Sequence, residues 1–154
     1  MKEKFQQLYM DIATRVAELS HARRLHVGCV IVKDDRIISM GYNGMPAGWD
    51  NNCEYEETII ESTYGEGARL VKTGELKTKP EVLHAESNAI AKLARSSESG
   101  LGSDIFITHA PCIDCAKLIY QSGIKRVYFG MAYRDDAGIK FLEKSGIDVE
   151  HVQS

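Results

Sequence analysis

IFITHAPCIDCAKLIYQSGIKRVYFG, residues 105–130, is the stretch of sequence that decides the fold. It opens with a β-rich run at 105–108, continues with a helical pattern at 112–121 and closes with a second β-rich run at 126–130. The pattern predicts a strand, a helix that ends before Gly123 and another strand. A strand–helix–strand unit of this kind forms a right-handed crossover connection between parallel strands, so the two strands should be parallel.

The alternation of strand and helix continues on both sides of this unit. Downstream, the sequence predicts a helix at 137–144, closed by Gly146, and a strand at 147–152. Upstream, it predicts a helix at 84–95. Strict alternation of this kind is typical of a parallel sheet with helical crossovers.

An antiparallel hairpin is predicted nearer the N-terminus. Two β-rich runs, 27–33 and 37–41, flank the turn-forming pair Asp34 and Asp35. The sheet should therefore be mixed, antiparallel at its N-terminal hairpin and parallel at its C-terminal strands.

A first helix precedes the hairpin and should end near residues 20–24. Its apolar face is predicted by side chains spaced four, four and three residues apart, namely Leu8, Ile12, Val16 and Leu19. Residues 43–80 show no comparable periodicity and carry several glycines and a cluster of acids. We expect a long loop there that includes one short helix or none, and loops of this length are usually functional.

Composition bounds the class of protein. A chain of 154 residues with 44% hydrophobic and 27% charged residues fits one compact domain over residues 1–154. Its net charge of −3 argues against nucleic acid as a partner and favours a small substrate. Charges interrupt the apolar positions of the first 20 residues, so we expect no signal peptide and no membrane span, and a cytoplasmic protein.

The cysteines point to a metal. In a protein without an export signal they are expected to be thiols or metal ligands, not disulfides. Cys112 and Cys115 follow Pro111, which suits the first turn of a helix, so the two sulfurs share one face and can hold one ion. A redox dithiol is the alternative, but it leaves His84 and Glu86 unexplained.

One histidine and two thiolates are three ligands, which leaves the fourth place of tetrahedral zinc to water. Zinc lowers the pKa of bound water from about 15.7 to roughly 7. Glu86 lies two residues beyond His84, so the two side chains do not share a helix face, and Glu86 is predicted to act on the water as general acid and base. Each residue taken singly has an ordinary alternative interpretation. His84 would be a hydrogen-bonding residue at a helix end, Glu86 an acid in the first helical turn, and the two cysteines buried thiols.

The order His-x-Glu and then Pro-Cys-x-x-Cys is the signature of zinc deaminases. Along nearly its whole length the chain resembles the cytidine and deoxycytidylate deaminase superfamily, and within it the deoxycytidylate (dCMP) branch. The resemblance rests on four stretches: RLHVGCVIV at 24–32, GYNGMPAG at 41–48, HAESNAI at 84–90, and PCIDCAKLI at 111–119 running into QSGIK at 121–125. The zinc motif is common to the superfamily, whereas Gly-Tyr-Asn-Gly-x-Pro is particular to the dCMP branch.

The resemblance implies a three-layer α/β/α fold of the cytidine deaminase type, with a five-stranded mixed sheet. It implies hydrolytic deamination of dCMP to dUMP and ammonia by zinc-bound hydroxide, with one Zn²⁺ per subunit and dUMP supplied for dTMP synthesis. Asn43 would bind the deoxyribose, Ala85 would meet the pyrimidine through its backbone, and Tyr133 would lie near the base or sugar. Alternatively, Asn43-Gly44 is only a turn and Tyr133 only a core residue.

The 5′-phosphate requires donors. Ser20, Arg23 and Arg24, at the expected end of the first helix, are the nearest candidates, with solvated arginines as the ordinary alternative.

Relatives of this kind are typically homohexamers that dCTP activates and dTTP inhibits, with Mg²⁺ accompanying the triphosphate. By resemblance, the 41–48 loop belongs to the effector site, and the residues concerned are Gly41, Tyr42, Gly44, Met45 and Pro46. Arg95 matches a regulatory position, although a surface salt bridge is the alternative. It lies about three helical turns, roughly 16 Å, from His84.

Some relatives hold a second zinc with extra cysteines and histidines between the hairpin and the His84 helix. Here only Cys53 is available in that part, so we expect one metal. Three other functions stay open: a zinc deaminase of cytidine, guanine or tRNA adenosine, a non-catalytic zinc-stabilised nucleotide sensor, and a redox protein.

Overall fold

The computed structural model describes residues 1–133 and 135–153. Four helices are present in these residues: α1 Glu3–Ala17, α2 Ala85–Ala94, α3 Ile113–Gln121 and α4 Ala137–Lys144. The strands are β1 Gly28–Lys33, β2 Arg36–Tyr42, β3 Glu54–Thr63, β4 Gly67–Thr78, β5 Asp104–His109, β6 Arg126–Met131 and β7 Asp148–His151. None of these helices has both the length and the apolar character that a bilayer crossing requires.

Five strands form the main sheet in the order β2-β1-β5-β6-β7. β1 pairs antiparallel with β2 and β5, whereas β5 with β6 and β6 with β7 are parallel. The predicted mixed sheet is therefore confirmed. Gly123 and Gly146 follow α3 and α4 with φ of +83° and +82°, the left-handed conformation that closes many helices.

The predicted β1–β2 hairpin is also confirmed. Asp34 and Asp35 connect the strands with φ of +50° and +58°. Positive φ at both central residues is the requirement of the type I′ turn, whose twist matches that of the strands. Aspartate tolerates this conformation better than most residues.

Alternate residues of the strands face two separate cores. Cys29 and Ile31 of β1 join α2, α3 and α4 in one buried cluster, while Val30 and Val32 join α1 in the other. The arrangement is the expected three-layer one, and of the helices in the described residues only α1 lies on its face of the sheet.

The predicted apolar face of α1 is only partly correct. Val16 is buried, but Leu8 is 47% exposed. The helix ends at Ala17 and not near residues 20–24 as predicted, so Leu19, which is 49% exposed, lies beyond it. The buried face runs instead through Tyr9, Met10, Ala13, Val16 and Ala17. Both patterns have helical spacing, and the position of the sheet selects the one that contains the small alanines.

Two glycines let helices approach the sheet closely. A Cβ atom on Gly28 would collide with the carbonyl oxygen of Ala13 in α1, and one on Gly41 would collide with that of Ala85 in α2. Gly41, which the resemblance assigns to an effector site, therefore has a packing role beneath α2.

The prediction for residues 43–80 is wrong in part. Most of this segment forms a second, two-stranded antiparallel sheet from β3 and β4, and the described residues contain no helix there. β-Branched residues at 58–60 pair with residues 70–72, and a turn around Gly65 joins the strands. Charged residues mask this pattern in the sequence, because both faces of the hairpin are largely exposed.

Candidate active site

Two helices begin at the candidate metal ligands. His84 is the N-cap residue of α2 and Cys112 is the N-cap residue of α3, both with extended backbone. Cys115 lies in the first turn of α3. The helices were predicted to start at 84 and 112, one residue too early. Because both residues have extended and not helical backbone, their side chains can meet between the two helices.

The three side chains form a cluster of metal-binding geometry. His84 Nδ1 lies 3.6 Å from the Sγ atom of Cys112 and 3.3 Å from that of Cys115. All three ligand atoms are within 4.8 Å of one another. Tetrahedral zinc with Zn–S bonds of about 2.3 Å and Zn–N bonds of about 2.0–2.1 Å separates its ligand atoms by roughly 3.5–3.8 Å. The cluster therefore fits one zinc ion.

The cysteine pair carries one negative charge, on Cys112, which favours the binding of a cation. Hydrogen bonds from Cys115 and His84 lower the pKa of Cys112 to about 4. The hydrogen bond with Cys112, together with burial, raises the pKa of Cys115, so the pair shares one proton. The hydrogen bond to Cys112 also raises the pKa of His84. A divalent cation displaces these protons, and the positive ends of the α2 and α3 dipoles favour the thiolates further.

Glu86 lies beside the cluster and is only 4% exposed. Burial raises the pKa of its carboxyl above the usual range, because water no longer solvates the charge. A carboxyl group with a raised pKa exchanges protons more readily near neutral pH.

Helix α4 packs against the backbone of Pro111 and Cys112. A Cβ atom on Gly138 would collide with the carbonyl oxygen of Pro111 and come within 2.9 Å of the backbone of Cys112. Because residue 138 is glycine, the first turn of α4 packs directly on the peptide that carries the metal ligand.

The cluster opens into a cavity of about 500 Å³. Its lining residues are Ala22, Arg24, Leu25, Val27, Asn43, Cys53, Glu54, Thr78, Val82, His84, Ala85, Glu86, His109, Ala110, Cys112, Met131, Ala132 and Tyr133. Residues from six separate parts of the chain thus meet around the ligands.

Asn43 lines the cavity and braces its wall. Its side-chain Oδ1 accepts a hydrogen bond from the Val27 backbone N–H, and its Nδ2 donates to the Leu25 carbonyl, each at 2.8 Å. The amide therefore has an opposite partner at each end, which fixes its orientation. Ala85 and Tyr133 also line the cavity.

Of the three candidate phosphate ligands, only Arg24 is among the residues that line the cavity in the described part of the chain. Arg24 lines the cavity and donates from Nη1 to Thr78 Oγ1 at 2.9 Å. The Ser20 hydroxyl, which is buried, donates to the Asn43 carbonyl at 2.8 Å and accepts from the Ala22 N–H. Arg23 reaches Asn52 Oδ1 at 3.1 Å and is not among the lining residues.

The predicted effector residues lie outside the cavity lining. Gly44 exchanges two backbone hydrogen bonds with Leu83, and the Tyr42 carbonyl accepts from Asn88 Nδ2 at 2.8 Å. Met45 and Pro46 continue the same loop, where the Pro46 carbonyl accepts from the Trp49 N–H. Arg95 caps the C-terminal end of α2, opposite the end that bears His84.

Sequence reasoning missed several lining residues, including Glu54, Thr78 and His109. Glu54 and Thr78 belong to the β3–β4 hairpin, whose existence was not predicted. His109 ends β5 three residues before Cys112. Its place at a strand end beside a ligand motif was a signal in the sequence that could have identified it.

A His-Cys-Cys cluster at two helix starts, within an α/β/α sandwich, defines a zinc-dependent hydrolytic enzyme. The chain belongs to the cytidine and deoxycytidylate deaminase family, because residues 3–131 match the family model for the cytidine and deoxycytidylate deaminase zinc-binding region.

Individual relatives agree with this assignment. The chain is 36% identical to the deoxycytidylate deaminase of Enterobacteria phage T4, over 93% of this chain and 87% of that protein. A crystal structure of dCMP deaminase from the cyanophage S-TIM5, in complex with dCMP and dUMP, is 39% identical and superposes with a TM-score of 0.82 over 98% of both chains. A structure from studies of tRNA:A34 deaminases, 23% identical with a TM-score of 0.60, shares the fold alone.

We predict that the purified protein contains one zinc ion per chain and that Cys112→Ser removes most of it, because a serine hydroxyl is a much poorer zinc ligand than a thiolate. Elemental analysis by mass spectrometry measures the ratio. Cys53→Ser, which changes a cysteine outside the cluster, should keep its zinc. Full zinc content in a Cys112→Ser, Cys115→Ser double variant would contradict this assignment.

Proposed function

We propose that the protein converts dCMP to dUMP and ammonia by hydrolytic deamination, as one zinc-dependent deaminase domain over residues 1–154. The observation that carries the proposal is a single cavity that joins the metal cluster, the buried Glu86 and the cationic Arg24. A base could meet the metal while its 5′-phosphate meets Arg24. The similar cyanophage enzyme, of nearly the same extent, supports the choice of dCMP.

Zinc, when bound by His84, Cys112 and Cys115, supplies an activated water for attack on the ring carbon that carries the amine. Glu86 removes a proton from the attacking water and delivers it to the pyrimidine ring nitrogen. It then takes the remaining proton from the hydroxyl group added to the ring carbon and gives it to the amine, so that the carbon–nitrogen bond breaks, ammonia leaves and the ring carbon becomes a carbonyl. Its raised pKa assists both transfers, since the carboxyl must accept and release a proton in each turnover.

Ala85 positions the base. Its carbonyl oxygen already accepts a hydrogen bond from the Cys29 thiol at 3.2 Å. Its N–H belongs to the first turn of α2, where N–H groups have no partner within the helix. The free N–H is the group that meets the pyrimidine in our proposal.

Asn43 and Tyr133 bind the deoxyribose side of the nucleotide in this proposal. Each end of the Asn43 amide uses one hydrogen bond on the backbone of residues 25–27. One amide hydrogen and one lone pair are left for a sugar hydroxyl. Tyr133, which lines the cavity, offers a ring face and a hydroxyl.

Of the three predicted phosphate ligands, we propose Arg24 as the residue that binds the 5′-phosphate. Ser20 has both hydrogen-bonding functions of its hydroxyl engaged within the fold. The Arg23 backbone N–H is bound by the Glu54 carboxylate, and its side chain turns towards Asn52. Arg24 keeps free guanidinium N–H groups beyond the one that contacts Thr78, and these can pair with a phosphate.

Glu86→Gln tests the reaction. The amide cannot carry the proton, so we expect kcat for dCMP to fall by about 10²–10⁴-fold while zinc content stays at the wild-type level. Steady-state assay of dUMP formation, with metal analysis of the same sample, measures both. A non-catalytic nucleotide sensor would show no wild-type turnover, and unchanged turnover in the variant would refute the acid and base role of Glu86.

Arg24→Gln tests the phosphate site. A lost charge-assisted hydrogen bond should raise KM for dCMP by about ten- to a hundred-fold and leave the kinetics of deoxycytidine, which has no phosphate, unchanged. The matched control is Arg23→Gln, which should alter neither substrate's KM. Wild-type activity on deoxycytidine equal to that on dCMP would count against any phosphate site.

We further propose a cytoplasmic homohexamer that dCTP activates and dTTP inhibits, with Mg²⁺ accompanying the triphosphate. Support comes from the position of the 41–48 loop. Gly44 is hydrogen-bonded to Leu83, which immediately precedes His84, so a displacement of the loop is transmitted to a metal ligand through one peptide. Arg95, at the far end of α2, is assigned to the same regulation.

Initial rates over a range of dCMP, with and without each triphosphate at matched Mg²⁺, measure this regulation. We expect dCTP to lower the half-saturating dCMP concentration and dTTP to raise it. Gly44→Pro, which removes the N–H that bonds Leu83, should weaken both responses. Hyperbolic kinetics insensitive to both triphosphates would remove the regulatory proposal and leave the chemistry intact.

A further inference from the structure

His109 lines the cavity but takes no part in the metal site or in the proton transfers of Glu86. It ends β5, lies three residues before Cys112, and is half-buried. It is not part of the metal cluster. Its ring lines the main cavity and also a smaller one of about 260 Å³ beneath α1.

A chain of hydrogen bonds fixes the tautomer of the His109 ring. The Gly28 backbone N–H donates to Thr108 Oγ1 at 3.1 Å, and Thr108 Oγ1 lies 3.0 Å from His109 Nδ1. Thr108 is buried, and Nδ1 is the one acceptor that the described residues offer its hydroxyl hydrogen. If Nδ1 carried the proton, that hydroxyl would face two donors and its own hydrogen would be buried unpaired, which is costly. Thr108 therefore donates to Nδ1.

The ring proton is then on Nε2. In a neutral imidazole with an accepting Nδ1, the other nitrogen is a donor. No hydrogen bond joins Nε2 to another of the residues at 1–133 and 135–153. The fold thus holds an oriented N–H donor, fixed through Thr108 and Gly28, at a cavity that also contains the metal ligands.

We propose that His109 contacts the substrate, donating its Nε2–H to an uncharged oxygen of the nucleoside part of the pyrimidine nucleotide. This assignment rests on the proposed function. It adds a specificity-determining residue at the end of β5, outside the zinc motif.

The surroundings favour an uncharged acceptor over the phosphate. Burial lowers the pKa of His109, so the ring is neutral at physiological pH and suits a carbonyl or hydroxyl oxygen better than a dianion. Ala110, Met131 and Ala132 line the same cavity, and Met131 is the partner of His109 in the β5–β6 pairing. The charged donor of the cavity, Arg24, comes from a different segment of the chain.

Steady-state kinetics of His109→Leu and His109→Gln, with dCMP and with deoxycytidine, test this contact. Leucine has a similar size and no donor, so kcat/KM should fall by about ten-fold for both substrates, since they share the nucleoside. Glutamine restores a side-chain N–H and should recover most of the loss. His21→Gln, a change at an exposed histidine outside the cavity, is the matched control.

A loss confined to dCMP would place the contact on the phosphate and overturn the proposal, as would unchanged kinetics in His109→Leu. Equal loss in the leucine and glutamine variants would assign His109 a packing role only and overturn it too. A wild type inactive on dCMP but active on another nucleoside would refute the proposed function, and the same variants would then test the contact with that substrate.

The tautomer provides a second readout that does not depend on activity. Nitrogen-15 NMR of the wild-type protein should show His109 protonated at Nε2, and Thr108→Val should lose this preference. A ring protonated at Nδ1 in the wild type would overturn the proposal even if a leucine variant failed to fold.

Discussion

His84 Nδ1 lies within 3.6 Å of two cysteine sulfurs that are distant in the sequence, and this contact requires the starts of α2 and α3 to meet at one point. An N-terminal helix end presents free N–H groups and a partial positive charge, which favour thiolates and a base's acceptor atoms. Metal binding, the position of Glu86 and the Ala85 N–H all follow from the same meeting of helix ends.

The sheet brings the helix ends together. β5 leads directly to Cys112, and the parallel pairing of β5 with β6 returns the chain so that residues 131–133 border the same cavity. Gly41 allows α2 to lie close against β2, which brings His84 towards the end of β5. Backbone proximity, more than any long side chain, thus sets the dimensions of the site.

Local sequence patterns predicted what local interactions determine. The β5–α3–β6 unit, the Asp34-Asp35 turn and the metal ligands were predicted because period, turn chemistry and ligand spacing are visible in short windows. Two faces of α1 have apolar residues at helical spacing, and the sequence alone does not show which one is buried. The close contact of Gly28 with Ala13 and Ala17 decides it, and this contact depends on the tertiary fold. Ser20 and Arg23 were predicted as phosphate ligands, and no sequence pattern indicates that the Ser20 hydroxyl bonds to the Asn43 carbonyl or that the Arg23 backbone N–H bonds to Glu54. The exposed β3–β4 hairpin carries no apolar alternation to detect.

Gly138 has a consequence for the order in which the site forms during synthesis. The first turn of α4 packs on the peptide of Pro111 and Cys112, yet it follows Cys112 by 26 positions in the chain. At ribosomal rates of about 5–20 residues per second, the thiols leave the exit tunnel roughly one to five seconds before their backing helix. During that interval the peptide that carries Cys112 lacks the packing that the first turn of α4 provides, so the metal ligands reach their final arrangement only after α4 has been made.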